Sequence, residues 1–303
     1  MIKSRTQFDD EYLAKIQEDA IRLAKEAGKM ASRYFGKELQ IKYKTKGRRD
    51  PVSEADREIE TYIRTEVKKL YPDHAIVGEE FDNTGNDSAD YVWIIDPVDG
   101  TNNFVNQLEI FACSLAIVHR GTPVVAAIFL PSGQEGIVFH ARLGHGTFKD
   151  KEKIQLSDFE GPQKGRLTGL PSYYWAMFGF KDGLRRRIGE IRSLGSVVYE
   201  LAMTATGTMQ ASLFYGPKSW DVAAGILLVQ EAGGLVLTWD KKEKKWIEFV
   251  FFGKEKPSLE NLYDWNGAVL AGNQFTVKHI ADRVWFRKRL IFRIIRWIRE
   301  KRD

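Results

Sequence analysis

The sequence has few of the residues that build covalent cross-links or zinc sites. Its one cysteine, Cys113, excludes an internal disulfide and suits a reducing compartment. Histidines are also few: His119, His140 and His145 are scattered and lack a zinc-ligand spacing such as HxxxH. We therefore expect these three histidines on loops or strand faces, without a metal role.

Long apolar runs are absent as well. No stretch reaches the roughly 18 apolar residues of a membrane-spanning helix, and residues 1–5 do not lead into an apolar signal core. We therefore expect a cytoplasmic protein. At 303 residues, 43% of them hydrophobic, the chain can bury a full core as one large domain or as two intimate layers.

The net charge of +5 is concentrated near the end of the chain. Residues 276–303 contain ten Lys/Arg and three Asp/Glu, so the remainder is close to neutral. Residues 284–299 place apolar side chains at helical spacing between arginines, and we predict a basic amphipathic C-terminal helix over 276–303. Its apolar face can pack on its own domain, across a homodimer, or on a membrane surface through 284–303. Nucleic acid is less favoured, because a helix that follows phosphates needs little more than charge.

Hydrophobic spacing along the rest of the chain predicts a mixed α/β protein. Helices are predicted over 9–35, 53–70, 197–206 and 221–232, with a final helix after 271. Strands are predicted over 75–78, 91–95, 111–118, 124–129, 136–139, 166–170, 211–214 and 267–271, with a Lys-rich hairpin within 238–265.

The most informative stretch is an acidic turn at the end of one predicted strand. The apolar run 91–95 leads into Asp96 and Asp99, and the proline between these two acids stiffens the backbone. Gly100 then allows a sharp turn, and Thr101 can cap the helical turn that follows. Carboxylates suit hard cations, and free N–H groups at a helix start suit a phosphate.

Other acids occupy similar positions elsewhere. Glu79 and Glu80 follow the strand 75–78, so two strand ends can bring three carboxylates together around a cation. Asp56 and Asp221 each stand at a predicted helix start. Taken alone, Asp56 is better explained as a helix-start residue and the paired acids as ordinary for a strand end, whereas Asp221 is either an N-cap or a metal ligand.

Four elements in order carry a resemblance to a known family. They are Asp50 to Asp56, Gly78 to Glu80, Trp93 to Phe104, and Trp220 to Gly234. Together they resemble the signatures of the inositol monophosphatase family of metal-dependent, lithium-sensitive phosphatases, over about residues 10–275. The resemblance implies a layered α/β/α/β/α sandwich of the inositol monophosphatase and fructose-1,6-bisphosphatase type. We expect one catalytic domain over 1–275, with two intimate halves at about 1–160 and 161–275, and a homodimer.

The resemblance also implies roles for individual residues, with two or three Mg²⁺ ions as cofactor. Thr101, paired with Asp56, would help to activate the attacking water, and Glu79 completes the implied catalytic set. The implied metal ligands are Glu79, Asp96, Asp99, Asp221 and the Val98 carbonyl. The implied substrate-binding residues are Asp99, Gly100, Thr101, Gly195, Ser196, Val197, Phe214, Lys218 and Asp221.

The sequence departs from the inositol-specific pattern near the alcohol. Residues 213–216 lack the usual acid, Lys218 becomes a candidate for contact with a second phosphate, and Asn106 replaces a frequent histidine. Lys44 and Lys46 are both candidates for the lysine of the family's mobile loop.

We therefore predict hydrolysis of inositol monophosphate or a related polyol or sugar phosphate. The alternatives are a fructose-1,6-bisphosphatase or a 3′-phosphonucleotide phosphatase of the same superfamily, or a protein whose basic tail binds RNA, a polymerase or a membrane. Truncation near Arg283 is expected to spare activity, because every implied metal ligand precedes residue 222.

Overall fold

The computed structural model describes residues 9–37, 41–43, 51–157 and 159–287. The predictions made for Lys44, for Lys46 and for the tail beyond residue 287 lie outside these ranges. Within them, no helix is long and apolar enough to cross a membrane.

Eight α-helices and seventeen strands occur in this part of the chain. The helices are α1 Asp10–Tyr34, α2 Glu54–Leu70, α3 Thr101–Val105, α4 Tyr174–Met177, α5 Val197–Ala205, α6 Ser219–Glu231, α7 Leu259–Asp264 and α8 Gln274–Ala281. The first nine strands are β1 Ile41–Tyr43, β2 Pro51–Ser53, β3 Ala75–Gly78, β4 Tyr91–Asp99, β5 Ala112–His119, β6 Thr122–Leu130, β7 Ile137–Arg142, β8 Gly146–Lys149 and β9 Glu152–Ile154. The others are β10 Leu167–Gly169, β11 Phe178–Phe180, β12 Glu190–Arg192, β13 Met209–Lys218, β14 Leu235–Asp240, β15 Lys245–Glu248, β16 Asn266–Gly272 and β17 Val284–Phe286.

Two large sheets organise these elements into five layers. The seven-stranded sheet has the order β3-β4-β5-β6-β7-β8-β9, and the six-stranded sheet has the order β12-β10-β13-β16-β14-β15. Helices α1 and α2 cover the outer face of the first sheet, α5 and α6 fill the space between the sheets, and α8 covers the outer face of the second. The predicted α/β/α/β/α sandwich is confirmed.

Local sequence explains the first two helices. Asp9 caps α1 by accepting a hydrogen bond from the Tyr12 N–H at 3.0 Å. Gly28 lets α1 lie close to the first sheet, because a Cβ there would come within 2.1 Å of the Phe129 ring. Ser53 caps α2, and its N–H donates to the carboxylate three residues later.

The prediction of one helix over 276–303 is wrong for Val284–Phe286. Helix α8 ends at Ala281, and the three residues that follow the turn pair antiparallel with β11, Phe178 opposite Phe286. A β-branched residue and two aromatic residues favour a strand once a partner strand is available. Tertiary pairing therefore overrides the helical spacing of the sequence.

Candidate active site

An acidic cluster forms where the two sheets approach each other. Strands β3 and β4 pair in parallel, with Gly78 opposite Ile95, so that Glu79 at the end of β3 comes beside Asp96 of β4. Helix α6, which starts from the second sheet, brings Asp221 to the same place. The carboxylate oxygens of Asp96, Asp99 and Asp221 lie within 4.8 Å of one another. Three of the predicted metal ligands, Asp96, Asp99 and Asp221, are thus brought together.

A β-bulge places two of these acids on one face of β4. Asp96 is opposite Ser114 and Asp99 is opposite Ala112, so three steps along β4 match two steps along β5. Without the extra residue, side chains three positions apart would point to opposite faces. The extra residue lies in a segment that contains Pro97, which has no N–H to donate and is tolerated at a bulge.

The environment of the acids disfavours negative charge. Asp96 is buried, and one of its carboxylate oxygens has no hydrogen-bond partner among the described residues. Burial first, and then the charges of Glu79 and Asp99, raise the pKa of Asp96 well above its usual value. Burial and the Asp99 charge raise the pKa of Asp221 in the same way. A divalent cation would remove this repulsion, and a set of carboxylate oxygens with a nearby carbonyl fits a hard cation such as Mg²⁺.

Asp99 is held from the second half of the chain. The Ser196 hydroxyl and the Val198 N–H, the latter at 2.8 Å, both donate to the same carboxylate oxygen. Burial raises the pKa of Asp99 to about 6, although these hydrogen bonds act in the opposite direction. Ser196 also caps α5, so the structure gives this predicted substrate residue a role in orienting Asp99.

The turn after Asp99 is fixed by a glycine. Gly100 has a φ of 88°, and a Cβ there would lie 3.0 Å from the Ile110 carbonyl oxygen. Helix α3 begins at Thr101, whose hydroxyl donates to the Val98 carbonyl at 3.0 Å. The Val98 carbonyl, which was predicted to bind metal, therefore lies at the turn, beside the acidic cluster.

Asp56 approaches the cluster from the start of α2. One carboxylate oxygen accepts from the Ser53 N–H at 2.8 Å and from the Ser53 hydroxyl at 2.5 Å. The other is buried and has no hydrogen-bond partner in the part of the chain that the structure describes. Burial, with the charge of Glu79 adding to it, raises the pKa of Asp56 to about 6. No direct hydrogen bond joins Asp56 and Thr101 among the residues described, so their predicted pairing stays a prediction.

Sequence reasoning missed a residue that holds the segment after β3. Glu60 is fully buried on α2 and accepts hydrogen bonds from the Glu80 N–H at 2.9 Å and from Arg64 Nε at 2.7 Å. A Cβ at Gly78 would lie 2.1 Å from the Glu60 carboxylate, so any larger residue there would displace that carboxylate. The one local signal was the Glu-Arg pair four residues apart, which is common on exposed helices.

A cavity of 340 Å³ opens beside Asp221. Its wall contains the predicted residues Gly195, Ser196, Val197, Phe214 and Asp221. It also contains residues that the sequence did not single out, among them Tyr173, Glu200 and Tyr215. The cavity is therefore placed to hold the rest of a molecule whose reactive group lies at the acids.

Lys218 differs from the other predicted substrate residues. Its Nζ donates to the Tyr263 carbonyl at 3.3 Å and lies 5.5 Å from the centres of the Trp220 and Tyr263 rings. Lys218 is the N-cap residue of α6, and its backbone N–H donates to the Asp221 carboxylate at 2.7 Å. The side chain thus packs against aromatic rings outside the cavity wall.

The fold and the acidic cluster match the phosphatase class of hydrolases. The model of the inositol monophosphatase family matches residues 12–286. The chain belongs to this family.

Known relatives carry more than one name. A protein of Aquifex aeolicus named fructose-1,6-bisphosphatase/inositol-1-monophosphatase is 33% identical over 231 residues, which cover 74% of this chain and 86% of the relative. The Nus factor SuhB of Pseudomonas aeruginosa is 36% identical over 228 residues, covering 72% and 83%. The solved structure of an IMPase from Thermotoga maritima gives a TM-score of 0.71 at 25% identity, covering 94% and 99%.

Proposed function

We propose that this protein hydrolyses a phosphate monoester with Mg²⁺ at the acidic cluster. The observation that carries the proposal is the approach of the Asp96, Asp99 and Asp221 carboxylate oxygens to within 4.8 Å of one another, next to a cavity. Such a set of buried or half-buried acids is unfavourable without a cation. The groups that would hold two or three ions are Glu79, Asp96, Asp99, Asp221 and the Val98 carbonyl.

Residues of the chain itself would bind the phosphate and accept the proton of the attacking water. Metal ions held at the acidic cluster would neutralise the phosphate and lower the pKa of a bound water. The backbone N–H groups of Gly100 and Thr101 orient the phosphate at the turn. Asp56, whose second carboxylate oxygen is free of hydrogen bonds and whose pKa is about 6, accepts a proton from the attacking water, which Thr101 helps to position.

The residues that line the cavity favour a substrate whose alcohol part is uncharged. The described lining includes hydroxyl and aromatic side chains and no lysine or arginine. A second phosphate would need a cation, and the Nζ of the nearby Lys218 is bound to the Tyr263 carbonyl. We therefore propose inositol monophosphate, or a related polyol or sugar monophosphate, as the substrate. Fructose 1,6-bisphosphate, which the name of the Aquifex aeolicus relative suggests, is the second candidate.

We keep three further proposals from the sequence: lithium sensitivity, a cytoplasmic homodimer, and contact of the tail with a membrane surface. Since Arg287 donates to the Phe178 carbonyl of its own domain at 3.0 Å, the membrane contact would involve residues 288–303. The name of the Pseudomonas aeruginosa relative adds a role as a Nus factor as a separate possibility.

Phosphate release from a panel of esters tests the proposed function. The panel contains inositol monophosphate, glycerol phosphate, fructose 1,6-bisphosphate and a 3′-phosphonucleotide, each with Mg²⁺, with Mg²⁺ and Li⁺, and with chelator. We expect Mg²⁺-dependent release that Li⁺ inhibits, with polyol monophosphates preferred. Release that persists with chelator, or no release from any ester, would contradict the proposal.

A further inference from the structure

The end of the described chain is fastened to the second half of the molecule. Strand β17 pairs antiparallel with β11, and the Arg287 N–H donates to the Met177 carbonyl at 2.9 Å. The Trp285 ring lies directly over Gly179, where a Cβ would come within 2.1 Å of the ring. The backbone pairing with β11 fixes the register of β17, and with it the position of Phe286.

Phe286 stands at the centre of an aromatic cluster. Its ring centre lies 5.5 Å from that of Tyr215 and 5.4 Å from that of Phe178. On its other side it lies 4.7 Å from Trp239 and 5.7 Å from Trp246, both on the β14–β15 hairpin. Contacts of this length and tilt are typical of stabilising aromatic pairs. Phe286 therefore fills the space between the hairpin and Tyr215.

Tyr215 connects this cluster to the cavity. It belongs to the cavity wall and is 38% exposed. It lies on β13 just before the irregularity at Tyr215 and Lys218, after which α6 starts and delivers Asp221. The described contacts of its ring are edge-on with Phe178 at 6.2 Å and tilted with Phe286. These two contacts hold the partly exposed ring of Tyr215 in place.

We propose that Phe286 is a positioning residue that fixes Tyr215 in the wall of the alcohol cavity. Through this contact, β17 helps to determine which alcohol is accepted. The inference rests on the proposed function, since it assigns the cavity to the alcohol. Tyr173 and Phe214 give the cavity an aromatic surface that suits the apolar face of a cyclic polyol or sugar ring, and Tyr215 borders the same cavity. A small acyclic alcohol such as glycerol gains little from that surface.

The inference refines the expectation that truncation near Arg283 spares activity. The acids that would hold metal are unaffected by the loss of β17, so kcat should be retained. Tyr215 would lose a neighbouring ring, and we expect a higher KM for cyclic substrates.

The test compares two substitutions on the same strand. Phe286→Ala removes the ring next to Tyr215, and Trp285→Ala removes a ring that contacts Gly179 instead. For inositol monophosphate we expect Phe286→Ala to raise KM about tenfold with kcat within about twofold, and Phe286→Tyr to restore KM. Trp285→Ala should leave both constants close to wild type, as should Phe286→Ala with glycerol phosphate as substrate.

A double substitution separates positioning from general loosening. If Phe286 acts through Tyr215, Phe286→Ala should have no further effect on KM in a Tyr215→Ala background. Additive effects on KM, or an equal fall of kcat with every ester, would overturn the inference. Thermal melting of each variant shows whether it is folded.

A spectroscopic measurement keeps this test separate from the proposed function. If wild-type protein hydrolyses no ester, the proposed function fails alone, and the contact is then followed through the ring resonances of ¹³C-labelled tyrosine. The Tyr215 resonance, assigned with Tyr215→Phe, should shift in Phe286→Ala and stay in place in Trp285→Ala. An unchanged Tyr215 resonance in Phe286→Ala would overturn the inference whatever the activity.

Discussion

The acidic centre and the alcohol cavity meet at Asp221 but are built differently. The acids of the centre are oriented largely by backbone groups and by residues at helix starts, such as the N–H groups of Val198 and Lys218. The cavity wall consists largely of side chains, and one of them, Tyr215, is supported by a strand near the end of the chain. In the proposed function, catalysis would therefore depend on groups that the fold holds in place, whereas the choice of alcohol would depend on side chains that can change without altering the fold.

The largest effect is expected at the acidic centre. Asp96→Asn removes a charge that both proposed metal sites share, and turnover should fall by about a thousandfold or more. Since Asp96 is buried with a raised pKa, the variant should be at least as stable as wild type without metal. Phosphate release and thermal melting in chelator measure the two effects. A loss of less than about tenfold would argue against a shared ligand.

The next effect concerns how Asp99 is held. Ser196→Ala removes one of the two groups that donate to the same Asp99 oxygen, and we expect kcat to fall by about 10–100-fold with a higher Mg²⁺ requirement. Ser193→Ala, in the same cavity wall, is the matched control. If Ser196→Ala changes only the KM for the ester, Ser196 contacts the substrate and is not needed to orient Asp99.

The acids also predict an unusual pH dependence of stability without metal. The pKa of Asp56 is raised by burial to about 6 in the folded protein, against an ordinary value of 3.8. The contribution of Asp56 to the free energy of unfolding is therefore fully present below pH 3.8 and is lost as the pH rises through 6. The loss amounts to at most about 3 kcal/mol. The neutral variant Asp56→Asn should gain stability relative to wild type between pH 4 and pH 7. Denaturant unfolding in chelator at both pH values measures the difference, and a constant difference would refute the assignment.

The smallest effect on turnover is expected in the cavity, where the ranking of substrates should change instead. Phe214→Glu restores an acid to the strand beside the alcohol and should favour inositol monophosphate over glycerol phosphate by about tenfold. Lys218→Ala should leave the ranking within about twofold, because the Lys218 Nζ is bound to the Tyr263 carbonyl. An unchanged ranking of substrates in Phe214→Glu would mean that other residues determine which alcohol is accepted.

Sequence patterns anticipated the acids and the strands that carry them, because those signals are local. The apolar run before Asp96, the glycine after Asp99 and the acid at the start of α6 can each be read within a few residues. These patterns, with the family resemblance, sufficed to predict the five layers and the members of the acidic cluster.

Features that depend on contacts between residues far apart in the chain could not be predicted from the sequence. The bulge of β4 depends on its register with β5, and Glu60 holds a backbone N–H twenty positions away. Lys218 was expected near the substrate, yet its Nζ contacts a carbonyl forty-five positions away. Residues 284–286 have helical spacing but pair with a strand more than a hundred positions earlier. In each case tertiary contacts decide among locally allowed options.

Metal binding by the acidic cluster tests the account most directly. Metal-free protein is titrated with Mn²⁺, and the free ion is measured by electron paramagnetic resonance, with Asp96→Asn as the matched variant. We predict that wild type binds at least two ions per chain in competition with Mg²⁺, as the proposed shared ligand requires, and that Asp96→Asn loses this binding. Equal binding by both proteins would contradict the assignment of the cluster as the metal centre.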